Sequence, residues 1–241
     1  MTTRDGSEVS VTVSDYDGFA EAYSAENDSN LFNRYYERPE MLRLAGDVAG
    51  RRILDAGCGA GPLSEALRAK GAVVAGLDSS AAMVSLARRR LGEDAELYVA
   101  DLAAPLPFAD AEFDDVLASL VLHYLEDWAG PLAELRRVLK PGGRLLVSLI
   151  HPAVYAIVYP DADYFALTQY SEDYEMDGRR TVLTYWHRPL HAITDAFSAA
   201  GFRIVSLSEP PPAPDTPAEL LPDGLDGGSF ICFLFFVLER D

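Results

Sequence analysis

Three glycines, Gly57, Gly59 and Gly61, stand within five residues at the end of the run Ile53-Leu54-Asp55-Ala56-Gly57-Cys58-Gly59-Ala60-Gly61. Glycine lets a backbone turn sharply and lets a ligand come close, because no Cβ stands in the way. Ile53 and Leu54 read as part of a short buried strand, and Pro62-Leu63-Ser64-Glu65-Ala66-Leu67 opens a helix. The unpaired N–H groups at such a helix start favour a carboxylate or phosphate. The chemistry these residues point to is the binding of a nucleotide-type cofactor. Two acids, Asp78 and Asp101, close further strand-like runs at Ala72–Leu77 and Glu96–Ala100. An acid at the end of the second strand of such a unit can accept two hydrogen bonds from ribose hydroxyls.

The glycine spacing excludes two cofactor classes. A dinucleotide fingerprint needs G-x-G-x-x-G, and Pro62 occupies its sixth position. Proline suits a first helical turn but does not complete that pattern. A phosphate loop needs Gly-Lys-Ser/Thr, which is absent here. Asp55, Gly57, Gly59 and Gly61 instead fill D-x-G-x-G-x-G, which resembles motif I of the class I S-adenosylmethionine-dependent methyltransferases. Leu139-Lys140-Pro141-Gly142-Gly143-Arg144-Leu145-Leu146-Val147 resembles a second family signature, a helix end, a turn and a fifth strand. The matches run in order from Ile53 to Leu149 and are similar to those of UbiE-like small-molecule methyltransferases.

The resemblance implies a mixed α/β fold of Rossmann-like type, with seven strands in the order 3-2-1-4-5-7-6 and strand 7 antiparallel. It implies S-adenosylmethionine as methyl donor, S-adenosylhomocysteine as product and a small-molecule acceptor. Asp55, Gly57, Cys58 and Gly59 would line the donor site. Asp78 would hold its ribose, and Ser79 and Met83, at the capped start of the helix that follows, would also line the donor site. Asp101 would take the adenine amino group, with the Leu102 backbone N–H on the ring. Ser119 and Leu120, after the fourth strand, fall at the same rim, since ligands in open α/β sheets bind beyond the carboxyl ends of the strands. Cys58 reads as a small buried filler rather than a nucleophile.

Methyl transfer is an in-line displacement with a neutral leaving group, so it rests on positioning and exclusion of water. Some acceptors also need a base. His123 follows the fourth strand and His151 ends the fifth, and a histidine titrates near neutrality. Pro152 biases His151 toward extended backbone. The other reading of the same site is a protein that binds S-adenosylmethionine without methylating, in a cyclase-like or regulatory role. Four histidines without paired ligand spacing point to no metal.

The elements around the site divide the chain. Residues 1–14 read as a mobile tail and 15–50 as a helical lid, with Tyr16 and Tyr23 facing the donor. Residues 51–241 form the main domain, interrupted after the fifth strand by an aromatic insertion at 151–189. There Asp177-Gly178 marks a hairpin turn. Tyr155, Tyr159, Tyr170, Trp186 and His187 are the expected acceptor wall. An aromatic satellite core or a contact between two copies is the other use of those rings. Leu190–Ala200 reads as a helix stopped by Gly201, Phe202–Leu207 as the sixth strand, and the proline-rich 209–223 as an extended connection. Phe230–Leu238 is nearly all apolar, as expected of a strand buried on both faces.

With 20 basic and 38 acidic residues the net charge is −18, which argues against a nucleic-acid substrate. The basic run Arg88-Arg89-Arg90 falls at a helix end, where it complements the helix dipole. Two distant cysteines suggest no disulfide framework. Residues 1–14 are polar, without a signal-type apolar segment, and the longest apolar run is too short for a bilayer. A cytoplasmic protein is expected, with no membrane partner.

Overall fold

The computed structural model describes residues 18–176, 179–222 and 230–241. The tail at 1–14, Tyr16 and the Asp177-Gly178 turn lie outside the described residues. Strands β1 (Arg52–Ala56), β2 (Val73–Asp78), β3 (Glu96–Val99), β4 (Phe113–Ser119) and β5 (Leu139–Ile150) come first in the chain. β6 (Thr168–Met176) and β7 (Arg179–His187) form a separate two-stranded sheet, and β8 (Phe202–Ser208) and β9 (Phe233–Arg240) complete the main one. Its order is β3-β2-β1-β4-β5-β9-β8. Without the hairpin, that is the expected 3-2-1-4-5-7-6. β9 runs antiparallel to both of its neighbours, while the other pairs are parallel.

Alternation along the strands builds a core on each face. Leu54, Val116, Leu145 and Phe236 face one core, and their neighbours Ile53, Leu117, Leu146 and Phe235 face the other. The adjacent phenylalanines Phe235 and Phe236 are both fully buried, so the near-continuous apolar run of β9 follows from its interior position. At the N-terminal ends of the central strands, buried Asp115 accepts from Arg51 at 2.5 Å and Arg144 at 2.7 Å, tying β1, β4 and β5 together.

Helices α1 (Ala20–Asn27) and α2 (Arg38–Ala45) flank a π-helical turn, Asn33–Glu37. After β1 come α3 (Pro62–Ala69), α4 (Ala81–Leu91), α5 (Ala129–Val138), α6 (Pro152–Val158) and α7 (Leu190–Ala199). Pro62 takes the first turn of α3, as its fixed φ favours.

Three sequence expectations change. Lys140–Gly143 is not a turn ahead of β5 but an irregularity inside it. The β4–β5 register slips between Phe113 and Asp115, and Gly142 adopts φ +72°. β3 ends at Val99, so Asp101 sits on the loop beyond it. Arg88–Arg90 do more than face a helix dipole. Arg90 pairs with Asp28 at 2.5 Å and Arg89 pairs with Glu21, both tying α1 to α4. Ala20 and Tyr23 of α1 also pack against Ala60 and Met83, so the lid rests directly on the glycine turn. Among the described residues, no helix is long and apolar enough to cross a membrane.

Candidate cofactor site

A cavity of about 540 Å³ opens beyond the C-terminal ends of β1, β2 and β4. Its floor is the glycine turn. The Leu77 carbonyl accepts from both Gly57 and Cys58 N–H at 2.8 Å, which folds the turn back onto β2. Gly57 adopts φ +80°, and a Cβ there would lie 2.5 Å from Val121 Cγ2. Gly59, at φ +53°, has open space where its Cβ would stand, so a ligand can approach the backbone.

Asp78, at the end of β2, accepts from Gly59 N–H and Ser80 N–H, each at 2.9 Å. These bonds aim the carboxylate at the cavity rim. Ser80 then caps α4 by accepting from Met83 N–H at 3.1 Å. Asp101 accepts from Ala103 N–H at 2.9 Å, and this local turn presents Leu102 to the cavity. Past β4, Leu120 holds the left-handed φ of +46°, rare for a branched side chain, and donates to Ser148 Oγ at 3.0 Å.

Asp55 is 1% exposed and accepts from Ser64 Oγ at 2.6 Å through one oxygen. Its other oxygen, Oδ1, has no hydrogen-bond partner among the described residues. Burial, then the Glu37 and Asp78 charges, push its carboxyl up to about 7, with Ser64 opposing. Burial and the same acidic surroundings hold the Cys58 thiol well above its usual range, so it stays protonated and inert.

All twelve described residues expected at the donor line this cavity: Tyr23, Asp55, Gly57, Cys58, Gly59, Asp78, Ser79, Met83, Asp101, Leu102, Ser119 and Leu120. Glu37 and Arg38 also line it and were not anticipated. Glu37 is 3% exposed and accepts from Ser119 Oγ and Ser148 Oγ at 2.6 Å each. Burial raises its carboxyl, with the two serines and Arg38 opposing. The signal for both was a charged pair, Glu37-Arg38, between the apolar Tyr36 and Met41 of a segment read only as a lid.

Both proposed bases lie elsewhere. His123 and His151 line a separate cleft of about 20 Å³, the room of about one water, with Tyr155, Tyr170, Trp186 and His187. His123 is buried against Tyr124 and Tyr185, and burial pushes it down to about 3. His151 caps α6 by accepting from Ala153 N–H at 3.0 Å, and its Nε2 lies 2.6 Å from Glu209. The backbone of each follows the expected strand, but neither ring reaches the larger cavity.

The residues of the expected acceptor wall stand apart from the larger cavity, and Tyr155, Tyr170, Trp186 and His187 line the smaller cleft. Tyr155 stacks on His187 at 4.0 Å, and Tyr159 packs on Tyr155 at 5.1 Å and Tyr170 at 5.7 Å. His187 Nε2 bonds the Tyr164 carbonyl at 2.7 Å. Tyr155, Tyr159, Tyr170 and His187 pack on one another, and none of the five lines the 540 Å³ cavity.

Comparison with known proteins agrees with this geometry. Residues 54–147 match the family described as "Methyltransferase domain". A demethylmenaquinone methyltransferase from Clavibacter sepedonicus is 40% identical over 134 residues, 55% of each chain. A ubiquinone biosynthesis O-methyltransferase from Pseudomonas syringae is 30% identical over 161 residues, 63% of this chain and 68% of that one. An S-adenosylmethionine-dependent methyltransferase from Listeria monocytogenes shares the fold, with a TM-score of 0.69 and 24% identity. That match covers 85% of this chain and 95% of the other. The chain spans about half the length of the first curated relatives it matches. Fold and site together define a class I nucleoside-binding α/β protein. The chain belongs to the S-adenosylmethionine-dependent methyltransferase family.

The family's cofactor is S-adenosylmethionine, and the cavity suits it. The partnerless Asp55 Oδ1 suits an ammonium group, the Arg38 guanidinium suits a carboxylate, and open space at Gly59 admits the chain between them.

Proposed function

We propose that this protein transfers a methyl group from S-adenosylmethionine to a small-molecule acceptor and releases S-adenosylhomocysteine. One observation carries the reading: the residues expected to hold the donor, from four separate strand ends and the lid, line one cavity of about 540 Å³. That volume lies within the range of small-molecule sites. When bound, the cofactor supplies an electrophilic methyl carbon on a sulfonium sulfur.

The residues of this chain bind, orient and exclude water. Asp78 accepts from the ribose hydroxyls, and Asp101 with the Leu102 backbone holds the adenine. Asp55 and Arg38 hold the ends of the amino-acid portion. Tyr23, Asn27 and Asn33 from the lid and Tyr124 from beyond β4 roof the cavity and keep water from the transfer. With both histidines in the smaller cleft, catalysis here rests on positioning and a dry site.

The net charge of −18 supports a small molecule over nucleic acid as acceptor. So does demethylmenaquinone in the name of a 40%-identical relative. Cys58 and Cys232 are free thiols, which supports a reducing, cytoplasmic setting.

Calorimetry with S-adenosylhomocysteine is the first test, and absence of binding would end this reading. Asp78→Ala removes the ribose acceptors, and the expected loss is about 1.5–3 kcal/mol of binding, roughly 10- to 150-fold in Kd. A panel of hydroxylated, amine and quinol acceptors with labelled methyl donor tests the transfer itself. A protein that binds the cofactor but labels no acceptor fits the regulatory or cyclase-like reading instead.

A further inference from the structure

We propose that Glu37 is the base of the acceptor site: its free oxygen, Oε2, takes the proton of a neutral or cationic hydroxyl acceptor, a phenol or an enol, as the methyl group transfers. The inference rests on the cofactor reading above and adds a proton acceptor to the positioning described there.

Sheet order separates the donor from the acceptor. The donor groups are carried by β3, β2 and β1 in that order: Asp101 just past β3, Asp78 on β2 and the glycine turn after β1. β4 comes next, and Ser119, Leu120 and Val121 at its end carry the cavity away from those groups. Glu37 lies on this side. Ser119 is in register with Ser148 on β5, and both hydroxyls donate to Glu37 Oε1 at 2.6 Å. The two bonds fix the carboxyl of a lid residue over the ends of both strands. Among the described residues, Oε2 accepts no hydrogen bond. Glu37 lines the cavity, so Oε2 is the oxygen left for a ligand.

The other acidic groups of the cavity are engaged by the donor or are poor bases. Asp55, Asp78 and Asp101 face the donor, and the Cys58 thiol stays protonated. Burial raises the Glu37 carboxyl, which brings its basicity toward neutrality, where a general base works best. The groups that act on it are the Ser119 and Ser148 hydroxyls from β4 and β5, the Arg38 guanidinium from α2 and the Asp55 carboxyl from β1.

The acceptor class follows from this chemistry. A free amine attacks through its own lone pair, whereas a phenolic hydroxyl, with a pKa of about 10, gains most from a base. Val121, Tyr124 and Leu125 offer its ring an apolar and aromatic surface. Asp55 and Arg38 are matched by the charges of the donor, so the charge left on the acceptor side is that of Glu37. It attracts a cationic acceptor and repels a carboxylate. In the transfer, a bond forms between the hydroxyl oxygen and the methyl carbon. The carbon–sulfur bond breaks and its electron pair stays on sulfur. The hydroxyl proton passes to Glu37 Oε2 and from there to solvent.

Three phenols with one hydroxyl and different charge are the probes: cationic tyramine, neutral 4-ethylphenol and anionic 4-hydroxyphenylacetate. Transfer of labelled methyl by the wild type should fall in that order. Its kcat/KM should drop about tenfold per pH unit below the titration of Glu37 and level off above it. Glu37→Gln keeps an oxygen for the two serines. It should lower kcat roughly 100- to 10,000-fold, with KM changed far less, and abolish the acid limb. Its affinity for S-adenosylhomocysteine in calorimetry should stay close to that of the wild type. Calorimetry of the three phenols on protein saturated with S-adenosylhomocysteine reads the site without turnover. The preference for tyramine over 4-hydroxyphenylacetate should be present in the wild type and narrow in the variant. Glu37→Asp draws the carboxylate back by one methylene, should retain part of the rate and the acid limb, and serves if Glu37→Gln does not fold. An unchanged rate or acid limb in Glu37→Gln overturns the proposal. So does a wild type that binds S-adenosylhomocysteine and methylates none of the three phenols. A wild type that does not bind S-adenosylhomocysteine overturns the cofactor reading as well.

Discussion

At the scale of single residues, the donor side of the cavity was legible because its signals are local. A glycine with positive φ, an acid closing a strand and a serine capping a helix each announce themselves within a few positions, as Gly57, Asp78 and Ser80 do. Ring direction is not local. His123 and His151 stand where the sequence put their backbones, yet their rings turn to Tyr185 and Glu209, residues remote in sequence. His123 gives a prediction with a definite sign. Its folded value of about 3 lies below its ordinary 6.5, so the folded state binds fewer protons than the unfolded state between those values. Its contribution is present above pH 6.5 and is lost as pH falls toward about 3. Asp55, raised instead of lowered, works in the opposite sense as pH rises from 3.8 to about 7. Chemical denaturation of the wild type and His123→Asn across this range separates the two. The variant should lose a slope worth on the order of a few kcal/mol, and an unchanged slope would contradict the buried neutral imidazole.

At the scale of elements, strand order followed from the resemblance carried by the glycine turn after β1 and the acid that closes β2, and the apolar run of β9 agrees with its interior place. The insertion was harder. Aromatic residues that could hold a flat acceptor fit one another equally well, and the sequence does not say which surface they choose. Tyr155, between His187 and Tyr170, shows the choice made. Truncating Tyr155 to Ala should cost about 3–5 kcal/mol of stability. It should leave S-adenosylhomocysteine affinity within about twofold, since the ring does not line the donor cavity. A loss of affinity without a loss of stability would return the insertion to the binding site. Glu37 and Arg38 escaped notice for a related reason. Glu37 ends a π-helical turn whose course follows from tertiary packing, Arg38 opens α2, and the partners of Glu37 on β4 and β5 are over eighty residues away.

At the scale of the molecule, the acidic excess acts on whatever approaches. S-adenosylmethionine carries one net positive charge at neutral pH and its product carries none, so the field of a chain at −18 attracts the first and is indifferent to the second. Stopped-flow binding should show association of S-adenosylmethionine slowing several-fold as salt rises from about 0.02 to 0.5 M, over which screening shortens sharply. Association of S-adenosylhomocysteine should stay flat. Equal salt dependence for both ligands would mean that the local field at the cavity, and not the overall charge, governs capture.

The position of β9 has a consequence for how the chain is made. β8 emerges from the ribosome before β9, yet its neighbour in the main sheet is β9, which lies between it and β5. Until β9 arrives, β8 has no place in the sheet and the outer edge of β5 stays open. In the finished fold Ile204, Val205 and Leu207 of β8 remain exposed apolar residues. Synthesis runs at about 5–20 residues per second, so this interval lasts on the order of seconds. During that interval the unpaired edge of β5 is open to pairing with a wrong strand.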